Sequence, residues 1–108
     1  MKTIENSKHI LQKALETYGG DKQTWKCQEE IGEYLQAIGK MKSTAEIYQK
    51  GTEEWREAYS NLTEEIADCI IMLEQMKILY GAAQVNTWIH YKLDRLERRL
   101  KEGEQDDR

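Results

Sequence analysis

CQEEIGEYLQAIGKM (residues 27–41) and LTEEIADCIIMLEQM (residues 62–76) are two stretches of this chain that correspond after a shift of 35 positions. Each contains an acidic motif, Glu-Glu-Ile-Gly-Glu at 29–33 in the first and Glu-Glu-Ile-Ala-Asp at 64–68 in the second. The apolar residues that follow also correspond, and their spacing of three or four positions is typical of an amphipathic α-helix. The sequence therefore predicts two helices that present the same side chains.

The rest of the chain also favours helix. It lacks proline, the residue that most reliably breaks helices, and its glycines fall mainly between apolar periodic segments. We predict an all-α bundle of four to five helices, with one domain over residues 1–103 and a frayed polar tail over 104–108. The predicted segments are a helix over 3–18, a second from the N-cap Asp21, a connector over 43–61 with a short helix at 52–59, a third helix from the N-cap Asn61 to Gly81, and a fourth over 82–101.

The composition excludes several classes of function. With 108 residues, 39% hydrophobic and 33% charged, the chain has the balance of a small globular domain. Its net charge of −4 argues against a nucleic-acid binder, and no apolar run approaches the roughly 20 residues that span a bilayer. No signal peptide opens it, so we expect a cytoplasmic protein without membrane contact. Cys27 and Cys69 lie in apolar stripes, where buried free thiols are expected in preference to a disulfide or a catalytic thiol.

The acidic motifs need a reason beyond chance, because 20 acidic residues in 108 produce about four pairs at i, i+3 by random placement. On a helical wheel, Glu30 and Glu65 border the apolar stripes, whereas Glu29 and Glu64 point towards water. Carboxylates beside a core are costly unless they are paired or bind a metal.

The duplication of the motif points to a shared metal site. If the two helices pack together, Glu30, Glu33, Glu65 and Asp68 meet, and their mutual repulsion raises some of their pKa values. A hard cation relieves that repulsion, and all-oxygen ligands favour Mg²⁺, Mn²⁺ or Ca²⁺ over zinc. We therefore predict that these four residues bind a hard divalent cation; Mg²⁺, with Mn²⁺ as a substitute, is the one suited to share its ligands with substrate phosphates.

At these residues the chain resembles the MazG-like all-α nucleoside triphosphate pyrophosphohydrolases, whose signature is E-x-x-E followed by E-x-x-D on two helices. Tyr18-Gly19, Gln23 and the apolar run 69–73 add to the resemblance, which covers about residues 17–100. It implies Mg²⁺-dependent hydrolysis of a nucleoside triphosphate to the monophosphate and pyrophosphate. It also implies a homodimer or homotetramer with sites near the interface. Among the four ligands, Glu33 is the candidate to orient or deprotonate the attacking water.

The chain departs from the family pattern in two places. Thirty-one residues separate Glu33 from Glu65, a long spacing that leaves room for an extra helical turn or a lid. Family members often have Asn-x-Lys-x-x-Arg on the last helix, where this chain has His90 in place of the Asn, followed by Lys92 and Arg95. The resemblance makes Lys92 and Arg95 candidates for substrate phosphate binding, against the alternative of a solvated helix surface.

Other functions remain open from the sequence. The main alternative is a non-catalytic helical module that binds a protein partner and whose carboxylates form a solvated face. A carboxylate-bridged di-iron bundle is disfavoured, since its Glu-x-x-His motifs are absent from both acidic segments. Nothing in the sequence selects a base or sugar of the nucleotide, or the number of metal ions.

Overall fold

The structure, a computed structural model, describes residues 1–103 and within them contains four α-helices and no strand. They are α1 (Lys8–Tyr18), α2 (Gly20–Ile47), α3 (Glu53–Tyr80) and α4 (Ala82–Lys101). The prediction of an all-α chain is therefore confirmed for this part of the molecule. The predicted frayed tail, residues 104–108, lies outside the described residues.

Helices α2 and α3 form a long antiparallel hairpin, and α1 packs against both of them. The core lies between these three helices, where apolar and thiol side chains interdigitate away from water. Its buried residues are Leu11, Leu15, Cys27, Ala37, Ala58, Leu62, Cys69 and Met72. Both cysteines are buried and free, as expected from their positions in the apolar stripes.

The predicted connector over residues 43–61 is wrong. Helix α2 continues to Ile47 and α3 begins at Glu53, so only a short turn joins them. Thr52 is the N-cap of α3, since its hydroxyl accepts a hydrogen bond from the backbone N–H of Trp55 at 3.3 Å, and Asn61 lies inside the helix. The long spacing between the acidic motifs is thus taken up by longer helices.

Two other predicted helix starts are also corrected. Helix α1 begins at Lys8, not Thr3, because Thr3 and Asn6 hydrogen-bond to each other's backbone N–H and form a local turn. Helix α2 begins at Gly20, so Asp21 lies in its first turn, where a carboxylate favours the helix dipole, and is not the N-cap.

Helix α4 projects from the hairpin. It follows Gly81, whose φ of +131° suits glycine, and among the described residues it packs only against α3. None of its residues is buried. The radius of gyration, 17.2 Å, exceeds the roughly 13 Å of a compact domain of this length, consistent with a projecting helix.

Two apolar surfaces remain uncovered in the single chain. The first, which we call the matched apolar face, consists of exposed apolar residues from the two corresponding sequence stretches: Ile31, Leu35, Ile66, Ile70 and Leu73. The second, the α4 stripe, repeats every three or four positions: Val85, Ile89, Leu93, Leu96 and Leu100. Exposed contiguous apolar surface of this kind is typical of a contact site for another molecule.

None of the helices within residues 1–103 combines the length and the hydropathy needed to cross a membrane.

Candidate metal centre

The register of the α2–α3 hairpin is marked by a buried amide pair. The side-chain Nε2 of Gln23 donates to Oε1 of Gln75 at 2.8 Å, and both side chains are buried. In an antiparallel helix pair, a step forward along one helix corresponds to a step backward of the same number of residues along the other. The same register therefore sets the two acidic motifs side by side, with the first carboxylate of each motif facing the last carboxylate of the other.

Three of the four predicted ligands converge. Glu30, Glu33 and Glu65 each offer a carboxylate oxygen, and these oxygens lie within 4.8 Å of one another. Glu30 is only 6% exposed, Glu65 is half-buried and Glu33 is exposed. The Oε2 atoms of Glu30 and Glu65 are buried and find no hydrogen-bond partner within residues 1–103. A buried acceptor without a partner is costly, so these two oxygens are free to bind a cation.

The wheel positions predicted from the sequence are confirmed. The side chain of Glu29 is 66% exposed, whereas that of its neighbour Glu30 is 8% exposed. On α3, Glu64 is likewise exposed and Glu65 is half-buried. One residue of difference in helix position thus separates a solvated carboxylate from one that enters the cluster.

Glu30 is held by neighbours on both helices. Its Oε1 pairs with Nζ of Lys26 at 3.2 Å, while its backbone carbonyl accepts a hydrogen bond from Sγ of Cys69 at 3.2 Å. The hydrogen bond with Glu30 raises the pKa of Lys26, so the lysine stays charged. Lys26 compensates part of the negative charge of the cluster, but one ammonium group cannot neutralise four carboxylates.

The environment opposes ionisation of the α3 carboxyl groups. Burial raises the pKa of Glu65, and the negative charges of Glu33, Asp68 and Glu30 raise it further. Burial also raises the pKa of Asp68, followed by the charge of Glu30 and a hydrogen bond with it. Asp68 thus lies beside Glu30 at the edge of the cluster, although it is not one of the three residues whose oxygens converge within 4.8 Å.

A polar cavity opens beside the cluster. It has a volume of about 270 Å³ and is lined by Glu33 and Glu65 together with Gln36, Ala37, Lys40 and Asn61. From the sequence, Asn61 is predicted only as a helix N-cap, and Lys40 has no predicted role. Lys40 follows Glu33 by seven residues, two helical turns, and that spacing was the available signal for a shared face.

The two predicted phosphate-binding residues are not brought to this cluster by the single chain. Lys92 and Arg95 lie on α4, which packs against α3 and makes no contact with α2 in the described residues. Arg95 is half-buried and Lys92 is exposed. Their participation would require the α4 helix of another copy of the chain.

No family model, no curated protein and no solved structure was found to match this chain.

The raised pKa values predict how stability depends on pH. A carboxyl group whose folded-state pKa is raised binds its proton more tightly in the folded protein, so stability falls as pH rises past its ordinary value. The pH range in which ionisation of Glu65 lowers stability therefore begins near its ordinary pKa of 4.5 and extends upward. The corresponding range for Asp68 begins near its ordinary pKa of 3.8. We expect metal-free Glu65→Gln protein, which mimics the protonated form, to melt above wild type at pH 7.5, with the gap closing towards pH 5.

Thermal melts in EDTA across this pH range measure the effect, and Glu29→Gln serves as the exposed control. A gap that stayed constant from pH 5 to pH 7.5 would contradict the repulsion described for the cluster.

Proposed function

We propose that this chain is a Mg²⁺-dependent nucleoside triphosphate pyrophosphohydrolase of the MazG-like kind. The observation that carries the proposal is the convergence of Glu30, Glu33 and Glu65, with a nearly buried Glu30 whose Oε2 has no partner within the described residues. The motif resemblance described above supplies the reaction, and the geometry agrees with it.

The residues present fit a hard divalent cation. The donor set consists only of carboxylate oxygens, which suits Mg²⁺ or Mn²⁺, and two buried oxygens are without partners. Glu30, Glu33 and Glu65 would hold the ion, with Asp68 completing the set at the edge. When bound there, Mg²⁺ would neutralise phosphate charge and make water more acidic.

The chain's own groups have distinct roles in the proposed reaction. A water oxygen bonds to the α-phosphorus while the bond from that phosphorus to the bridging α–β oxygen breaks, and the electron pair leaves with pyrophosphate. Glu33, the exposed member of the cluster, accepts the proton from the water. Glu30 and Glu65 are more enclosed, and their carboxylates would hold the metal ion in a fixed position.

The proposal includes an oligomer, either a dimer or a tetramer. The matched apolar face and most of the α4 stripe are exposed in the single chain, and large exposed apolar surfaces usually mark contact sites. An α4 helix from a partner chain would also supply Lys92 and Arg95 to the phosphates, which the single chain does not do. The two buried free thiols agree with a reducing cytoplasmic location.

Pyrophosphate release from a panel of ribo- and deoxynucleoside triphosphates tests the reaction directly. With Mg²⁺ we expect equimolar pyrophosphate and nucleoside monophosphate from at least one nucleotide, and none with EDTA. Release of inorganic phosphate and nucleoside diphosphate would contradict attack at the α-phosphorus. An intact panel would contradict the proposed function.

Mg²⁺ is expected to stabilise the folded chain. At about ten times its dissociation constant, a ligand specific for the folded state adds about 1.4 kcal/mol, or roughly 5 °C in melting temperature. Thermal melts with and without MgCl₂ measure this, with NaCl at matched ionic strength as control. The alternative function, a helical protein-interaction module suggested by the exposed α4 stripe, predicts no specific Mg²⁺ effect.

A further inference from the structure

The cavity beside the carboxylates continues along the hairpin. A second cavity of about 370 Å³ adjoins the first, because Lys40 and Asn61 line both. Binding sites for small molecules commonly range from about 300 to 1,000 Å³. The two cavities together therefore form a groove long enough for more than a phosphate group.

Lys40 is the cation at the middle of this groove, and its charge is uncommitted. Lys26 and Lys77, two other lysines of the hairpin, form ion pairs with glutamates on their own helices. Lys40 forms no salt bridge with any described residue, although Glu54 and Glu57 line the same cavity. A flexible ammonium in this position can reach a phosphate bound at the adjacent carboxylate cluster.

The far half of the groove has a different chemistry. Glu54 and Glu57 make it unfavourable for phosphate but suitable for accepting hydrogen bonds from N–H or O–H groups. Thr44 is 9% exposed and lines this cavity, where its hydroxyl can donate or accept a hydrogen bond. Tyr48 is exposed and is the aromatic residue that lines the same cavity.

From this arrangement we propose that Lys40 binds the α-phosphate and that the cavity lined by Thr44 and Tyr48 takes the nucleoside. The inference rests on the proposed function and deepens it by assigning the direction of the substrate. The leaving pyrophosphate then points away from Lys40, and Glu54 and Glu57 accept hydrogen bonds from the sugar or base.

The test replaces Lys40 with methionine, which keeps much of the side-chain length and removes the charge. We expect kcat/KM to fall about 10- to 100-fold, the range for losing a charge-assisted hydrogen bond, while the Mg²⁺-induced shift in melting temperature stays unchanged. Lys40→Arg should recover part of the loss. Lys42→Met is the matched control, since Lys42 is exposed on the same helix and does not line the groove.

Calorimetric titration with inorganic tripolyphosphate and Mg²⁺ separates this inference from the proposed function. If wild type hydrolyses nucleotides and Lys40→Met behaves like Lys42→Met, the substrate direction is wrong and the function stands. If no nucleotide is hydrolysed, the proposed function is contradicted, and the calorimetric titration tests whether Lys40 binds phosphate. Weaker tripolyphosphate binding by Lys40→Met would then support the lysine's role, whereas equal binding, or none by wild type, would overturn it.

The nucleoside half of the groove is tested by Thr44→Val, which has nearly the same shape and lacks the hydroxyl. We expect the ranking of nucleotides by kcat/KM to change, with the preferred nucleotide losing about tenfold and tripolyphosphate binding unchanged. An unchanged ranking would contradict binding of the nucleoside in this cavity.

Discussion

Glu30→Gln and Glu65→Gln are each expected to lower pyrophosphate release by at least about 100-fold at saturating nucleotide and Mg²⁺. Mutation of residues that only support a metal ligand typically costs 10- to 100-fold, so loss of a ligand itself should reach the upper end or beyond. Steady-state assays of pyrophosphate at increasing Mg²⁺ measure the loss and show whether excess metal recovers it.

Glu29→Gln is the matched control for this prediction. It removes the same charge from the same helix, one residue away, but its side chain is exposed and outside the cluster. We expect it to retain activity within about twofold, since surface substitutions away from special features have small effects. Equal losses in Glu29→Gln and Glu30→Gln would mean that general charge, and not metal ligation, explains the effect.

The ligand variants should also show opposite effects on activity and on stability. Removing one charge from four clustered carboxylates relieves repulsion, so metal-free Glu65→Gln should melt above wild type at neutral pH. The same variant should lose most of the stabilisation by Mg²⁺. Lower stability together with lower activity would instead indicate simple damage to the fold.

If the proposed oligomer forms through the α4 stripe, Leu93→Glu is expected to dissociate it. Leu93 belongs to the α4 stripe and is 59% exposed, so its replacement should leave the single chain folded. Burying a leucine is worth about 1.5–3 kcal/mol, and a symmetric interface loses it twice. The dissociation constant should therefore rise by roughly 100- to 10,000-fold. Light scattering over a concentration series measures it.

Thr87→Glu adds the same charge to the opposite side of α4 and should leave assembly unchanged. A wild-type chain that stays monomeric at every accessible concentration would rule out this use of the stripe. If dimers form through it, mixing Asp68→Asn with Arg95→Ala chains should restore about a quarter of wild-type activity, because half of the dimers then contain one intact site. No recovery would mean that Arg95 does not act on a partner's cluster.

The sequence predicted the helical class and the inner position of Glu30 because both depend on local periodicity. The wheel separates Glu30 from Glu29 without any knowledge of packing, and the structure agrees. Helix ends were harder to predict, because Asn61 and Asp21 are good N-caps that tertiary packing leaves unused.

The matched apolar residues show a different limit. Periodicity identifies Ile31 and Leu35 as part of the apolar stripe of a helix, but it does not say what covers that stripe. In the single chain Leu35 is 61% exposed, since α1 covers only part of the hairpin. The cavity that Lys40 and Asn61 line could not be predicted, because cavities depend on how two helices face each other, which no single periodicity encodes.

The buried Gln23–Gln75 pair implies a rule for how such a chain can change in length. Residues can be added near the turn between α2 and α3 without moving the acidic motifs, since both helices simply grow beyond the site. Seven added residues, about one turn on each helix, would keep every facing pair intact. An insertion of one residue between Gln23 and Glu30 would instead rotate the carboxylate by about 100° and separate the cluster. The number of residues between the two motifs can therefore vary, whereas the number of residues between each motif and its glutamine is fixed.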